Sequence, residues 1–548
     1  CFDLLMKIYT EAGYTARDAV QSVLENNLSG IEIDPRAAEL ASFALAMKAC
    51  EYDPRYLSRG NRAIPRVTCL VPVQVDQQEL DVSMPYLADR AKLLDAMKHI
   101  NECGSLFVPS PEDLAALDRA SEELGRRLES GDLLAYALNT AVGQMKANCE
   151  PLARSHDVVV ANPPYMGSSN MDKWLADWTK KTYPDSKRDL CTCFIERGFT
   201  LANPKGYSAM ITMQSWMFLS NAEALRSKLL KAFSIETMAH LGARAFDSIG
   251  GEVVSTTATV FKRGTASDAG SYVRLVDYGN EAEKQEALKE AIADPDCGWF
   301  YRRDASSFSA IPGTPIAYWA SDAMIEAFSS QHRVGTVGTL KTGMKSGNND
   351  LFYRRWWEVS HKKVTFDLKN IDSAQAQNVH WLPCNGGGEF RRWFGNRYSI
   401  IDWRDGGHSY RSYSENGVQK SAPKNLEWSL KSCVTWNLIT SGLAAFRYVP
   451  SGSMFDQAGN MAFFDADGQM YNLALLNSTV AQQYITLCNP TLNCPPGAVS
   501  ELPVKDCSKR QRVLKIAESL VYESKLDWDS QEISWEYSSN PLTRGAAR

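Results

Sequence analysis

The chain has 548 residues, 44% of them apolar and 22% charged, with a formal net charge of -5. That is enough apolar content to bury sizeable cores, and the length calls for about three domains. No run approaches the ~18 uncharged apolar residues of a membrane helix, and the start lacks the order of a signal peptide, so no membrane partner and a cytoplasmic location are expected. The 13 cysteines are scattered, with Cys191-Thr192-Cys193 the one close pair, and read as reduced thiols filling cores; no metal site is indicated. Net negative charge averages over domains, so a local basic cleft is compatible with it.

In chain order, CFDLLMKIYTEAGY opens on an amphipathic helical pattern without an initiator methionine, as in a fragment or a start placed inside a domain. NLSGIEIDPRAAELASFALAMKA then gives a short apolar strand ending in Glu32 and Asp34, and a helix that Pro35 can open. Residues 87 to 149 read as charged helices around the turn ECGS. DVVVANPPY predicts a buried strand running into Asn162-Pro163-Pro164-Tyr165. A helix from about Asp189, a turn at Asn203-Pro204-Lys205-Gly206 and the strand YSAMITM follow. Strands alternating with helices call for a doubly wound α/β sheet, whose ligands sit beyond the carboxyl ends of the strands. Glu32 and the Asn162 turn both fall at such ends. From about residue 335 the chain turns rich in Gly, Asn, Trp and Arg, as in a separate mixed α+β domain, and KRQRVLKIAESLVYESKLDWDSQEISWEY closes as a helix with an aromatic, acidic tail. The expected organisation is a first α/β domain over 1–265, a connecting segment over 266–334, a second mixed domain over 335–505 and a helical segment over 506–548.

The Asn-Pro-Pro-Tyr turn carries the chemistry. An exocyclic amine on adenine is a poor nucleophile because its lone pair is delocalised into the ring. An enzyme that alkylates it must hold the N–H groups with acceptors that favour a tetrahedral nitrogen, aligned with the donor carbon. The Asn162 side-chain oxygen and the Pro163 carbonyl are two such acceptors, and Pro163 and Pro164 stiffen the backbone that presents them. Tyr165 offers a stacking face for a base swung out of the duplex. The plainer alternative is a strand ended by two prolines with a packed tyrosine; the full string after an apolar strand favours the functional reading.

That string resembles the catalytic motif of the amino-group methyltransferases that use S-adenosylmethionine, among which the adenine-N6 DNA methyltransferases are the largest set. The resemblance implies a Rossmann-like methyltransferase sheet and makes Glu32 the acid that holds the cofactor's ribose hydroxyls. A solvated strand-end acid is the alternative for Glu32; Asp34 sits beside it in the same cofactor region, with capping of the Pro35 helix as its better local account. LGARAFDSIGGEVVSTTATVF, GMKSGNNDLFYRRWWEV, CNGGGEFRRWFGN, NSTVAQQYITLCNPTLN and SKLDWDSQEISWEY extend the resemblance over nearly the whole chain, to the PglX family of adenine-specific methyltransferases of BREX phage-defence systems. Membership implies methylation of adenine N6 in a specific short sequence of double-stranded DNA, with the adenine flipped out, to mark host DNA alongside other BREX proteins. It also places Phe246, before Gly250-Gly251, as a second stacking face. The family's glycine-rich cofactor loop is expected upstream of CFDLL and further sequence beyond residue 548, so the chain is expected to be a central piece with half a cofactor site.

The second domain pairs cations with aromatics as phosphate and base contacts require. Arg354, Arg355, Trp356 and Trp357, Arg391, Arg392 and Trp393, and the glycine-bearing loop with Lys341, Lys345 and Asn348 are its candidate DNA contacts. Arginines snorkelling from a tryptophan core are the alternative. Three rivals remain for the whole chain. A glutamine-amide protein methyltransferase shares the four-residue motif but needs no domain after 335. A fused nuclease would use Asp506 with Glu523 and Lys525, where a charged helix is the better account. The third is a sequence-reading DNA-binding fragment without catalysis.

Overall fold

The computed structural model describes residues 1–132, 135–247, 254–264, 269–371, 379–440, 442–488, 493–540 and 542. They form two compact units, Cys1–Gln214 with Lys228–Phe300, and Ser215–Ser227 with Tyr301–Arg548.

The first unit begins with helices α1 (Phe2–Glu11) and α2 (Ala16–Ser22), strand β1 (Ser29–Glu32), helix α3 (Pro35–Tyr52) and strand β2 (Arg66–Cys69). Pro35 opens α3 because its fixed φ suits a first helical turn and its missing N–H costs nothing there. β1 and β2 pair in parallel, from Ser29 opposite Arg66 to Glu32 opposite Cys69. The charged stretch expected to be helical holds the helices Pro111–Glu129 and Ala135–Ala153. The first starts on a reciprocal cap between Ser110 and Asp113, and Leu117, Leu124, Leu138, Val142 and Met145 bury themselves in the unit's largest core.

The remaining strands are β3 (His156–Ala161), β4 (Ala202–Met213), β5 (Phe233–Gly242), β6 (Thr256–Arg263), β7 (Gly270–Arg274) and β8 (Phe300–Arg303). They lie in the order β3-β4-β6-β5-β7-β8, and β8 is where the chain passes into the second unit. β3–β4 and β5–β7 are parallel, while β6 runs antiparallel between β4 and β5. The α/β class expected from the sequence holds, with a mixed sheet in place of a wholly parallel one. Residues 270–274, assigned from the sequence to a connecting segment, extend this sheet because β7 finds a parallel partner in β5.

Two local expectations change. The Asn203-Pro204-Lys205-Gly206 turn lies inside β4 as a bulge, since His156 faces Ala202 while Val158 faces Tyr207. Lys205 takes a φ of 68° there, and a Cβ on Gly206 would sit 2.9 Å from the Asn203 and Asp157 carbonyl oxygens. β3, expected to be buried, leaves Val158 and Val160 58% and 64% exposed. Among the described residues β1 and β3 each pair on one side only, so neither is a central strand.

The second unit carries β9 (Thr339–Lys341), β10 (Tyr353–Arg355), β11 (Trp381–Asn385), β12 (Ser399–Asp402), β13 (Ser414–Glu415), β14 (Val418–Gln419), β15 (Cys433–Asn437), β16 (Phe446–Val449), β17 (Met454–Phe455) and β18 (Gly459–Phe463). They make two four-stranded sheets, β16-β15-β18-β9 and β10-β12-β11-β17, with β13–β14 as a separate hairpin. Trp436 and Phe446 anchor one core, Trp403 and Tyr410 another. The helix Arg510–Asp529 follows, as the sequence pattern expects.

Candidate functional site

The Asn-Pro-Pro-Tyr turn follows Ala161 directly, at the carboxyl end of β3. Pro163 is buried, Asn162 and Pro164 are exposed and Tyr165 is half-buried. The Tyr165 hydroxyl donates to the Ile211 carbonyl of β4 at 3.3 Å and lies 3.5 Å from Asn162 Oδ1. Burial raises the pKa of that hydroxyl, so it stays a donor. Just beyond, Met166 accepts from the Leu190 amide at 3.0 Å and the Ser168 amide donates to Arg188 at 2.8 Å. Asp189 then caps the helix Leu190–Leu201 by accepting from the Cys191 amide. The turn is thus clamped to the neighbouring strand on one side and to a helix start on the other.

This clamp, built by Ile211, Arg188 and Leu190, escaped the sequence reading. Its one local signal is the aspartate placed as a cap before an apolar helical run. The arrangement leaves an exposed amide oxygen beside an aromatic ring with no ring partner among the described residues. An amine brought to Asn162 would meet an acceptor on a backbone that cannot recoil, with Tyr165 beside it to stack the ring that bears the amine.

Glu32 sits at the carboxyl end of β1, half-buried. Its Oε1 accepts from the Ile33 and Asp34 amides at 2.7 and 3.1 Å, which fixes the carboxylate plane, and its Oε2 has no protein partner among the described residues. That free oxygen fits a ligand hydroxyl, as S-adenosylmethionine requires. Asp34, placed by the sequence in the same cofactor region, is engaged locally. Its Oδ1 accepts from the Arg36 and Ala37 amides at 2.8 and 3.4 Å, and its Oδ2 pairs with the Arg36 guanidinium at 2.9 Å. The Arg36 side chain, then those amides, hold its carboxyl down to about 2. Asp34 thus acts as the helix cap that the sequence offers as its better local account. Phe246 is half-buried without a ring partner among the described residues, while Gly250-Gly251 lies outside them.

In the second unit the candidate DNA contacts divide. Lys345 and Arg355 are exposed. Arg355 lies 4.2 Å over the Tyr398 ring and reaches Ser399 Oγ at 3.3 Å. Lys341 is half-buried, 5.8 Å from the Trp428 ring, and Arg392 is half-buried, 5.5 Å from the Phe390 ring. Asn348 caps a short helix through the Leu351 amide and donates to the Tyr413 hydroxyl at 3.3 Å. Arg354 donates to the Asp350 and Tyr353 carbonyls. Arg391 donates to Phe394 O at 2.9 Å, pairs with Asp527 and lies 5.1 Å over Trp528, so the closing helix occupies it. The same segment holds Arg397, whose guanidinium sits 4.9 Å over Trp535. The nuclease pattern dissolves in the same way: Asp506 pairs with Arg510, and Lys525 pairs with Asp529 and Glu536.

The family model of the Eco57I restriction-modification methylases matches residues 26–246, the stretch that carries both Glu32 and the Asn162 turn. Over 570 residues the chain is 35% identical to the adenine-specific methyltransferase PglX of Lacticaseibacillus casei (strain Zhang), covering 100% of this chain and 46% of that protein. It is 36% identical over 581 residues to the adenine-specific methyltransferase BrxX of Escherichia coli O9:H4 (strain HS), covering 99% of this chain and 45% of that protein. The chain is related along its whole length to the adenine-specific methyltransferases PglX and BrxX. It spans a little under half the length of these relatives. Among solved structures, a nuclease-deletion mutant of the Type ISP restriction-modification enzyme LlaGI in complex with a DNA substrate mimic superposes with a TM-score of 0.50 at 12% identity, covering 95% of this chain and 43% of that one. At that identity the likeness is one of fold.

Proposed function

We propose that the protein serves in site-specific DNA methylation, moving a methyl group from S-adenosylmethionine to adenine N6 within one short sequence and so marking host DNA in a BREX-type defence system with other BREX proteins. The observation that carries this reading is the clamped Asn162–Tyr165 turn at a strand's carboxyl end, in a chain related throughout to adenine-specific methyltransferases. Asn162 Oδ1 and the Pro163 carbonyl would accept the N–H groups of the amine, and Tyr165 would stack the flipped ring, with Phe246 as a second face. Pro163 and Pro164 would keep those acceptors from turning away. Glu32 would hold the ribose hydroxyls of S-adenosylmethionine through Oε2. When bound, that cofactor supplies an electrophilic methyl group on a sulfonium. Lys345 and Arg355, the exposed cations of the second unit's candidates, are the proposed phosphate contacts, with half-buried Lys341 and Arg392 as further candidates.

Methylome sequencing of a host carrying the gene tests the reading. N6-methyladenine should occur in one motif and vanish with Asn162→Ala. N4-methylcytosine in place of N6-methyladenine would overturn the choice of base, and methylation that survives Asn162→Ala would remove that side chain from the chemistry.

A further inference from the structure

Three glycine-bearing loops converge in the second unit: residues 343–350, which carry the candidate contacts Lys345 and Asn348, and residues 385–388 and 456–459. Together with residues 437–439 they line an open cavity of about 620 Å³. Their backbones are tied to each other, the Met344 amide donating to Phe455 O at 2.8 Å and the Asp456 amide to Asn385 O at 3.0 Å. A Cβ on Gly343 would lie 2.1 Å from the Asp456 carbonyl oxygen, and one on Gly386 3.0 Å from Asp456 Oδ2. The wall around Asp456 is therefore bare backbone, which glycine alone permits.

Asp456 is the acid in that wall. Its Oδ1 accepts from the Ala458 and Gly459 amides at 2.8 and 3.2 Å, while its Oδ2 has no protein partner among the described residues. Burial pushes its carboxyl up to about 6 against the pull of those two bonds. Asp456 as a whole is half-buried, so Oδ2 is an acceptor left for a ligand. Tyr353 lines the same cavity, with its hydroxyl buried beside the Cys384 thiol. Exposed Lys345 stands at the rim. A ligand that brings an N–H to Oδ2 gains the bond and relieves a desolvated charge; one that brings an acceptor leaves that charge unpaired.

We propose that this cavity reads a cytosine of the DNA target, with Asp456 Oδ2 accepting from the N4 amine and Lys345 holding a neighbouring phosphate. The inference rests on the DNA-reading role proposed above. A carboxylate is acceptor-only, so it rejects thymine O4 and guanine O6 in the major groove. Adenine offers an amine there too, but its N7 acceptor stands beside it and repels the carboxylate. Cytosine sets a plain C5–H next to its amine, and one free oxygen matches one amine.

The test uses the protein as its gene encodes it. Binding is titrated with duplexes carrying the methylated motif and with every single-base variant of it. Replacing one particular cytosine should cost the wild type ~10-fold or more in affinity. Asp456→Asn would keep its oxygen on the Ala458 and Gly459 amides and turn its NH2 donor toward the base, so it should lose the cytosine preference, favour a base that offers an acceptor at the same position, and keep its preferences elsewhere. Asp456→Ser asks the same question of a smaller side chain should Asp456→Asn fail to fold, and should likewise lose the cytosine preference alone. Wild-type preferences at every position in a folded variant would overturn the proposal. So would an equal loss of affinity for all duplexes with the melting temperature unchanged, or a motif without any G·C pair. A wild type that binds all duplexes alike is a different failure, that of the DNA-reading role itself.

Discussion

Tyr165 combines a hydroxyl anchor with a half-buried ring, and two substitutions separate them. Tyr165→Phe removes the 3.3 Å bond to Ile211 O and the 3.5 Å approach to Asn162 while keeping the ring. A net intramolecular hydrogen bond contributes about 1 kcal/mol, and one this long less, so kcat/KM should fall no more than about fivefold. Tyr165→Ala removes the ring as well. Stacking of a base on an aromatic side chain is worth ~1–3 kcal/mol, a further loss of roughly 5- to 150-fold. Single-turnover transfer of labelled methyl groups into a motif-bearing duplex measures both, and a fluorescent adenine analogue at the target position reports extrusion of the base. The ring should govern the extrusion signal and the hydroxyl should not. If Phe falls as far as Ala, the hydroxyl positions Asn162 and the ring adds nothing. If Ala keeps the wild-type rate, Tyr165 has no part in holding the base.

Acid should loosen the first unit through His240, whose pKa is held down to about 3 by burial first and by Arg274 and Lys284 after it. The unfolded imidazole titrates near about 6.5, so the unfolded chain binds more protons below that pH, and stability falls as pH drops from about 6.5 towards 3. His240→Gln should flatten that part of a denaturation-versus-pH curve, and an unaltered slope would exclude His240 as the cause. Gly343→Ala should destabilise the second unit by about 1–3 kcal/mol, because its Cβ would lie 2.1 Å from Asp456 O. Gly442→Ala meets nothing within 4 Å and should stay within about 0.5 kcal/mol in the same urea titration, so equal effects would contradict the packing account. Lys345→Ala should reduce the slope of log affinity against log salt by about 1. Arg391→Ala should leave that slope alone and lower the melting temperature, since its donors go to Phe394 and Asp527; the reverse pattern would assign Arg391 to the DNA.

The Asn-Pro-Pro-Tyr turn was legible because its signal is local. Two prolines, an amide and a ring within four residues mark the turn by themselves, and an apolar run before them places it at a strand end, although its clamp to Ile211, Arg188 and Leu190 is tertiary. The cap on α3 was legible for the same reason, since Asp34 and Pro35 act on amides two and three residues away. The arginines were not. Arg391 and Arg355 sit in similar Arg-Trp strings, yet one is covered by Asp527 and Trp528 from the far end of the chain and the other stays exposed.

Sequence alone thus determined the α/β class, the strand that ends on Asn162 and the helix that Asp34 caps, because hydrophobic period and short-range hydrogen bonds set them. Tertiary structure alone decided which cations remain available and which strands lie at an edge. It also brought residues 343, 386 and 456 to one wall, leaving Asp456 Oδ2 in a cavity without a partner. A side chain's partners across a hundred residues depend on how layers pack, and no local pattern records that. The same aspartate in FDQAGN reads as a surface turn until three backbones close around it.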